Sequence, residues 1–102
     1  QDPASIYEKL GWDYYTTGQY ARSRNASRKA HSLDPDRAYP LFNEALTYLI
    51  EGNAGKADTL YAEVVSRYGL PDETARLLAG LLEMPNLSRD SRKVIQNLMK
   101  AR

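Results

Sequence analysis

The residues able to make or break bonds are few. The 102-residue chain has one histidine, His31, and no cysteine. It therefore lacks a thiolate nucleophile, a sulfur-based zinc site and the paired imidazoles that metal sites draw on. His31 falls near the end of an expected helix, where the dipole favours a cation, so a structural role suffices for it. No Gly-rich phosphate loop occurs, and the carboxylates fall where helix surfaces need solvent. The sequence thus predicts no enzyme, no metal and no cofactor. What it does supply is aromatic area: one Trp, eight Tyr and one Phe. Such side chains give large, rigid contact surface at low entropic cost, so the chemistry to expect is recognition.

The elements that must position those rings follow from composition and periodicity. A formal net charge of +1 with 42% apolar and 26% charged residues describes one soluble globular unit. The charge balance leaves no excess of cations for a polyphosphate backbone, so no nucleic-acid partner is expected. No apolar run is long enough to span a bilayer, and the opening QDPASIYEKL lacks a basic region followed by an apolar block. The absence of cysteine fits the cytoplasm and a bacterial periplasm alike.

The length is three times 34, and the sequence repeats at that period. Tyr7, Leu41, Ala75; Leu10, Glu44, Leu78; Gly11, Ala45, Ala79; and Tyr14, Tyr48, Leu82 form columns whose internal spacing puts each set on one stripe of a helix. Gly18, Gly52 and Asn86 follow at the same period, all types that tolerate a left-handed backbone where a helix stops. A second stripe runs through Ser23, Ala57, Ser91; Ser27, Tyr61, Ile95; and Ala30, Val64, Leu98. Asp34-Pro35 and Pro71 close the first two units. The pattern predicts six antiparallel helices at about 4–17, 20–33, 38–51, 54–68, 72–84 and 88–101, with boundaries good to ~2–4 residues. Pro85 is expected to end the fifth early, and Ser88 to cap the sixth.

These columns resemble the tetratricopeptide repeat (TPR), whose signature is W-x2-L-G-x2-Y, then A-x3-F, then P. The likeness covers essentially the whole chain. Unit one reads Tyr7-x2-Leu10-Gly11-x2-Tyr14, with Ser23 and Ser27 as its departures. Unit two reads Leu41-x2-Glu44-Ala45-x2-Tyr48, then Ala57-x3-Tyr61. Unit three keeps the register as Ala75-x2-Leu78-Ala79-x2-Leu82, then Ser91-x3-Ile95. The resemblance implies an all-α fold: a right-handed α-solenoid of three helix-turn-helix repeats, at about 4–37, 38–71 and 72–102 in one domain, with the first helices lining a concave groove. It also implies a non-catalytic interaction module that holds a partner's peptide or helix.

The groove is expected to be lined by Glu8, Trp12, Tyr15, Tyr39, Phe42, Asn43, Leu46 and Leu49, with Trp12 and Phe42 as anchors. Tyr15, Tyr39 and Leu49 are expected chiefly to fill gaps between adjacent helix pairs, as aromatic and aliphatic residues at helical spacing usually do. The acidic chaperone tails that the resemblance brings with it do not suit these residues. Of the positions that would grip such a tail, Glu8, Trp12, Asn43, Glu73 and Leu77, only Asn43 matches, and Glu8 and Glu73 repel a carboxylate.

Two other readings stand beside the groove. One is a scaffold or spacer, of the kind found in bacterial envelope and secretion assemblies, that positions attached domains or self-associates. The other is recognition of an acidic partner by the basic segments. Residues 19–35 carry a net +3 (Arg22, Arg24, Arg28 and Lys29 against Asp34), residues 86–102 a net +4, and residues 36–85 a net −4; such blocks are usually solvated faces. Finally, the last helix carries Val94, Ile95, Leu98 and Met99, which cannot all point inward. Solenoids need a polar terminal cap, so the expectation is a segment of a longer repeat protein, favoured by a start without Met, or an end covered by another copy.

Overall fold

A computed structural model describes residues 2–101. Those residues form six helices and no strand: α1 Pro3–Thr16, α2 Tyr20–Leu33, α3 Tyr39–Ile50, α4 Ala54–Tyr68, α5 Asp72–Leu81 and α6 Arg89–Lys100. The chain divides into two compact units, Gln1–Thr47 and Tyr48–Arg102, the boundary falling within α3. No helix is long and apolar enough to cross a membrane among the described residues.

In the first unit α1 folds back on α2. The approach is close because the facing residues are small: Gly11 on α1 meets Ser23 and Ser27 on α2, and a Cβ added at Gly11 would lie 2.7 Å from Ser27 Oγ. The Ser23 hydroxyl donates to the Gly11 carbonyl oxygen at 2.7 Å, a buried bond that fixes the register of the pair. The Ser27 hydroxyl is buried without a hydrogen-bond partner.

The turns after α1 and α3 are copies of one motif. Gly18 and Gly52 have φ of 79° and 82°, where a Cβ is disfavoured. Gln19 N–H donates to the Tyr14 carbonyl at 2.8 Å and Gly18 N–H to Tyr15; thirty-four residues on, Asn53 N–H donates to Tyr48 at 2.9 Å and Gly52 N–H to Leu49. This is the Schellman pattern that satisfies the last carbonyls of a helix.

The third turn departs from it. Asn86 does not adopt positive φ, and Pro85 stands before it, with no N–H to donate to the end of the helix. Helix α5 stops at Leu81, three residues before the predicted end. The carbonyl equivalent to those of Tyr14 and Tyr48 belongs to Leu82, and Arg92 from α6 donates to it at 2.6 Å and to the Met84 carbonyl at 3.1 Å. A guanidinium thus replaces the left-handed residue. Ser88 caps α6, its hydroxyl accepting from Ser91 N–H at 3.1 Å.

The second stripe forms the core as predicted: Ser23, Ala57, Ser91, Ser27, Tyr61, Ile95, Ala30 and Val64 are all buried, and Leu98 alone is half-exposed. The first stripe is less uniform. Glu44, Ala45, Tyr48, Ala75 and Leu78 are buried, while Leu10 and Ala79 are exposed. In the second unit α6 packs against α4 and α5, and the Ser91 hydroxyl donates to the Leu49 carbonyl of α3 at 2.8 Å.

Candidate functional site

Of the groove residues expected from the sequence, the structure separates surface from core. Phe42 is 3% exposed, and Leu46 and Leu49 are buried as well, so these three are core residues and not contact residues. The physical reason is that α3 is apolar on most of its circumference, and every residue from Glu44 to Leu49 is buried. Trp12 and Tyr39 reach the surface, at 39% and 44% exposure. Tyr15 and Asn43 are half-buried.

Trp12 belongs to a row of rings. Its ring lies 5.1 Å, centroid to centroid, from that of Tyr15, and Tyr15 lies 5.9 Å from Tyr20 at the start of α2. Both contacts are tilted, an arrangement that the quadrupoles of the rings favour. Spacing of three on α1 puts Trp12 and Tyr15 on neighbouring turns, and the Gly18 turn delivers Tyr20 beside them. Burial, and secondarily Tyr20, pushes the Tyr15 phenol above its usual ionisation range. Tyr20 was not among the residues expected from the sequence; it lies outside both apolar columns, and only the turn geometry brings it to Tyr15. Tyr39 forms a second aromatic contact, with Phe42 beneath it at 6.3 Å.

Glu8, the acidic residue expected at the groove, is occupied. Arg37, in the connection before α3, lies 3.7 Å from its carboxylate and also contacts Asp34 at 3.1 Å and Asp2 at 3.3 Å. The same guanidinium donates to Ser5 Oγ at 2.8 Å. Asp2 caps α1 by accepting from Ser5 N–H, and that bond, the Ser5 hydroxyl and Arg37 hold its carboxyl below the usual range. Contact with Asp34, followed by the Asp2 and Glu8 charges, raises Arg37 further.

The basic face of α2 is likewise partly committed to the chain itself. Arg28 pairs with the buried Glu44 at 3.0 Å, Arg24 donates to Thr47 Oγ1 at 3.2 Å, and Arg22 donates to Gln19. Glu44, the one charged residue in an apolar column, is thereby explained. The described residues hold no group of His, Asp and Glu arranged to bind a metal ion. His31 sits in the last turn of α2 with its Nδ1 3.4 Å from the Arg37 carbonyl. The sequence holds two Asn-x-Ser triplets, the pattern of a glycosylation acceptor, at Asn25-Ala26-Ser27 and Asn86-Leu87-Ser88; Ser27 is buried in a helix and Ser88 is engaged as a cap.

No family model matches the chain, and no match was found among curated proteins or solved structures.

Proposed function

We propose that this protein is a non-catalytic interaction module of tetratricopeptide-like architecture that binds a protein partner on the aromatic surface of its first two helices. The observation that carries the reading is Trp12, more than a third exposed yet held in ring contact with Tyr15. An indole in that setting offers apolar area to water with its orientation already set, which lowers the entropic cost of binding. Exposed aromatic patches mark interaction sites, and Trp and Tyr are enriched where binding energy concentrates. The architecture is supported by the 34-residue columns and by two turns with the same hydrogen bonds at that period.

The test is capture of partners from source-cell extract by the wild-type chain and by a Trp12→Ala variant, both shown helical by circular dichroism. A partner retained by the wild type and lost by the variant supports the aromatic surface. Equal retention by both, or by neither, refutes it and leaves the spacer role. Phe42→Ala is unsuited to this comparison because it opens the core.

A further inference from the structure

Two segments of the sequence are basic, and they differ in what their cations do. On α2 the arginines are committed to the chain: Arg28 to Glu44, Arg24 to Thr47 and Arg22 to Gln19. On α6 Arg92 is committed too, its guanidinium donating to the Leu82 and Met84 carbonyls. Arg89, Lys93 and Lys100 are exposed, and their side chains make no ion pair or hydrogen bond among the described residues. At about 100° per residue these cations fall within about 40° of one another, on a stripe about 16 Å long that lies opposite the buried Ser91 and Ile95.

The stability of α6 does not call for this arrangement. Arg89 is the first residue after the Ser88 cap, where the positive end of the helix dipole disfavours a cation. Lys93 stands four residues on, and like charges at that spacing repel across one turn. Asp90, the carboxylate beside them in sequence, pairs with neither among the described residues. Only Lys100, in the last turn, suits the dipole. A local rule broken without a compensating contact is expected where a side chain serves function and not folding. We propose that the stripe of Arg89, Lys93 and Lys100 docks an acidic segment of a partner protein.

Charge and extent favour this occupant. Unpaired cations in one row offer successive carboxylates of a narrow segment a partner each, and opposed charge of this kind sets orientation and speeds encounter. A broad polyanion suits the surroundings less well. Helices α4 and α5, against which α6 packs, and the turn after α5 carry the exposed carboxylates Asp58, Glu63, Glu73 and Glu83. These repel a polyphosphate backbone or an anionic bilayer, whereas a segment confined to α6 meets the cations without having to cover them. The inference makes no use of the Trp12 surface, so either can fail alone.

Fluorescence anisotropy of a fluorescein-labelled decaglutamate peptide at low ionic strength tests it. The wild type is expected to bind the peptide, with an affinity that falls as salt is raised. An Arg89→Gln, Lys93→Gln, Lys100→Gln variant, checked for helicity, is expected to bind roughly tenfold more weakly, the combined effect of a few exposed charge pairs. A Lys29→Gln, Arg67→Gln, Arg76→Gln variant loses the same charge from other exposed positions and is expected to bind like the wild type. Arg89→Gln alone is expected to melt no lower than the wild type. A wild type that does not bind overturns the proposal, and so does an equal loss in both triple variants, which would reduce the effect to net charge. Tighter binding of an oligothymidylate of the same charge would assign the stripe to phosphates and overturn the protein partner. A lower melting temperature for Arg89→Gln would return that residue to the fold and overturn the argument from its position.

Discussion

Ser27 and Gly11 show how much one hydroxyl decides. The Ser27 Oγ is buried without a partner, which carries a desolvation cost, and it occupies the space where a side chain at Gly11 would begin. Ser27→Ala is therefore expected to leave stability unchanged or to raise it by about 1 kcal/mol. Gly11→Ala alone is expected to cost about 1–3 kcal/mol through overpacking. In the Ser27→Ala background the same change should cost much less, since the obstructing oxygen is gone and Ala is the better helix former. Urea denaturation of the four proteins gives the coupling energy directly. Additive effects would mean that the α1–α2 approach is limited by backbone and not by this hydroxyl. Gly11 was legible in the sequence as a small residue in a column; the orphan Oγ was not, because hydrogen-bond satisfaction depends on what a neighbouring helix presents.

Helix ends, at the next scale, show one requirement met in two ways. The carbonyls of Tyr14 and Tyr48 are satisfied by the local backbone after a glycine, and the Leu82 carbonyl by Arg92 from the following helix. Arg92→Met keeps the aliphatic stem and removes both donations. It is expected to destabilise the protein by about 2 kcal/mol, the cost typical of hydrogen bonds to a charged group, and to speed amide hydrogen exchange near the end of α5. Arg22→Met, at an exposed position on α2, should change stability by less than about 0.5 kcal/mol. If the two variants were equal, the Arg92 contacts would contribute nothing. The sequence announced the irregular turn through Pro85 and the cap through Ser88. It did not announce Arg92, since a basic residue on a helix surface reads as solvated until the fold puts carbonyls within its reach.

At the scale of the whole molecule, the network of Asp2, Ser5, Glu8, Asp34 and Arg37 joins the start of α1 to the connection before α3. It predicts a pH dependence. The Asp2 carboxyl is held below its ordinary value of 3.8, so its contribution to stability is present above that value and is lost as pH falls through the lower folded one. Asp2→Asn keeps a side-chain oxygen for the Ser5 N–H but carries no charge. Its melting temperature is expected to decline less steeply than that of the wild type below about pH 4, with the two curves nearly parallel near neutrality. Parallel curves throughout would show that Asp2 is not linked to folding.

The sequence by itself determined the number and order of the helices, and which stripe of the second helix in each repeat is buried. Those properties follow from a period written into the chain and from local rules for starting and stopping a helix. Tertiary structure decided which aromatic rings meet solvent. Trp12 and Leu46 stand thirty-four residues apart on first helices, yet Leu46 is buried and Trp12 is 39% exposed. Burial depends on neighbours, and a position's neighbours are fixed by packing and not by its spacing. The same reason moved Tyr20 into the aromatic row, turned Arg28 toward Glu44 and left Leu10 and Leu98 exposed at columns that are buried elsewhere in the chain.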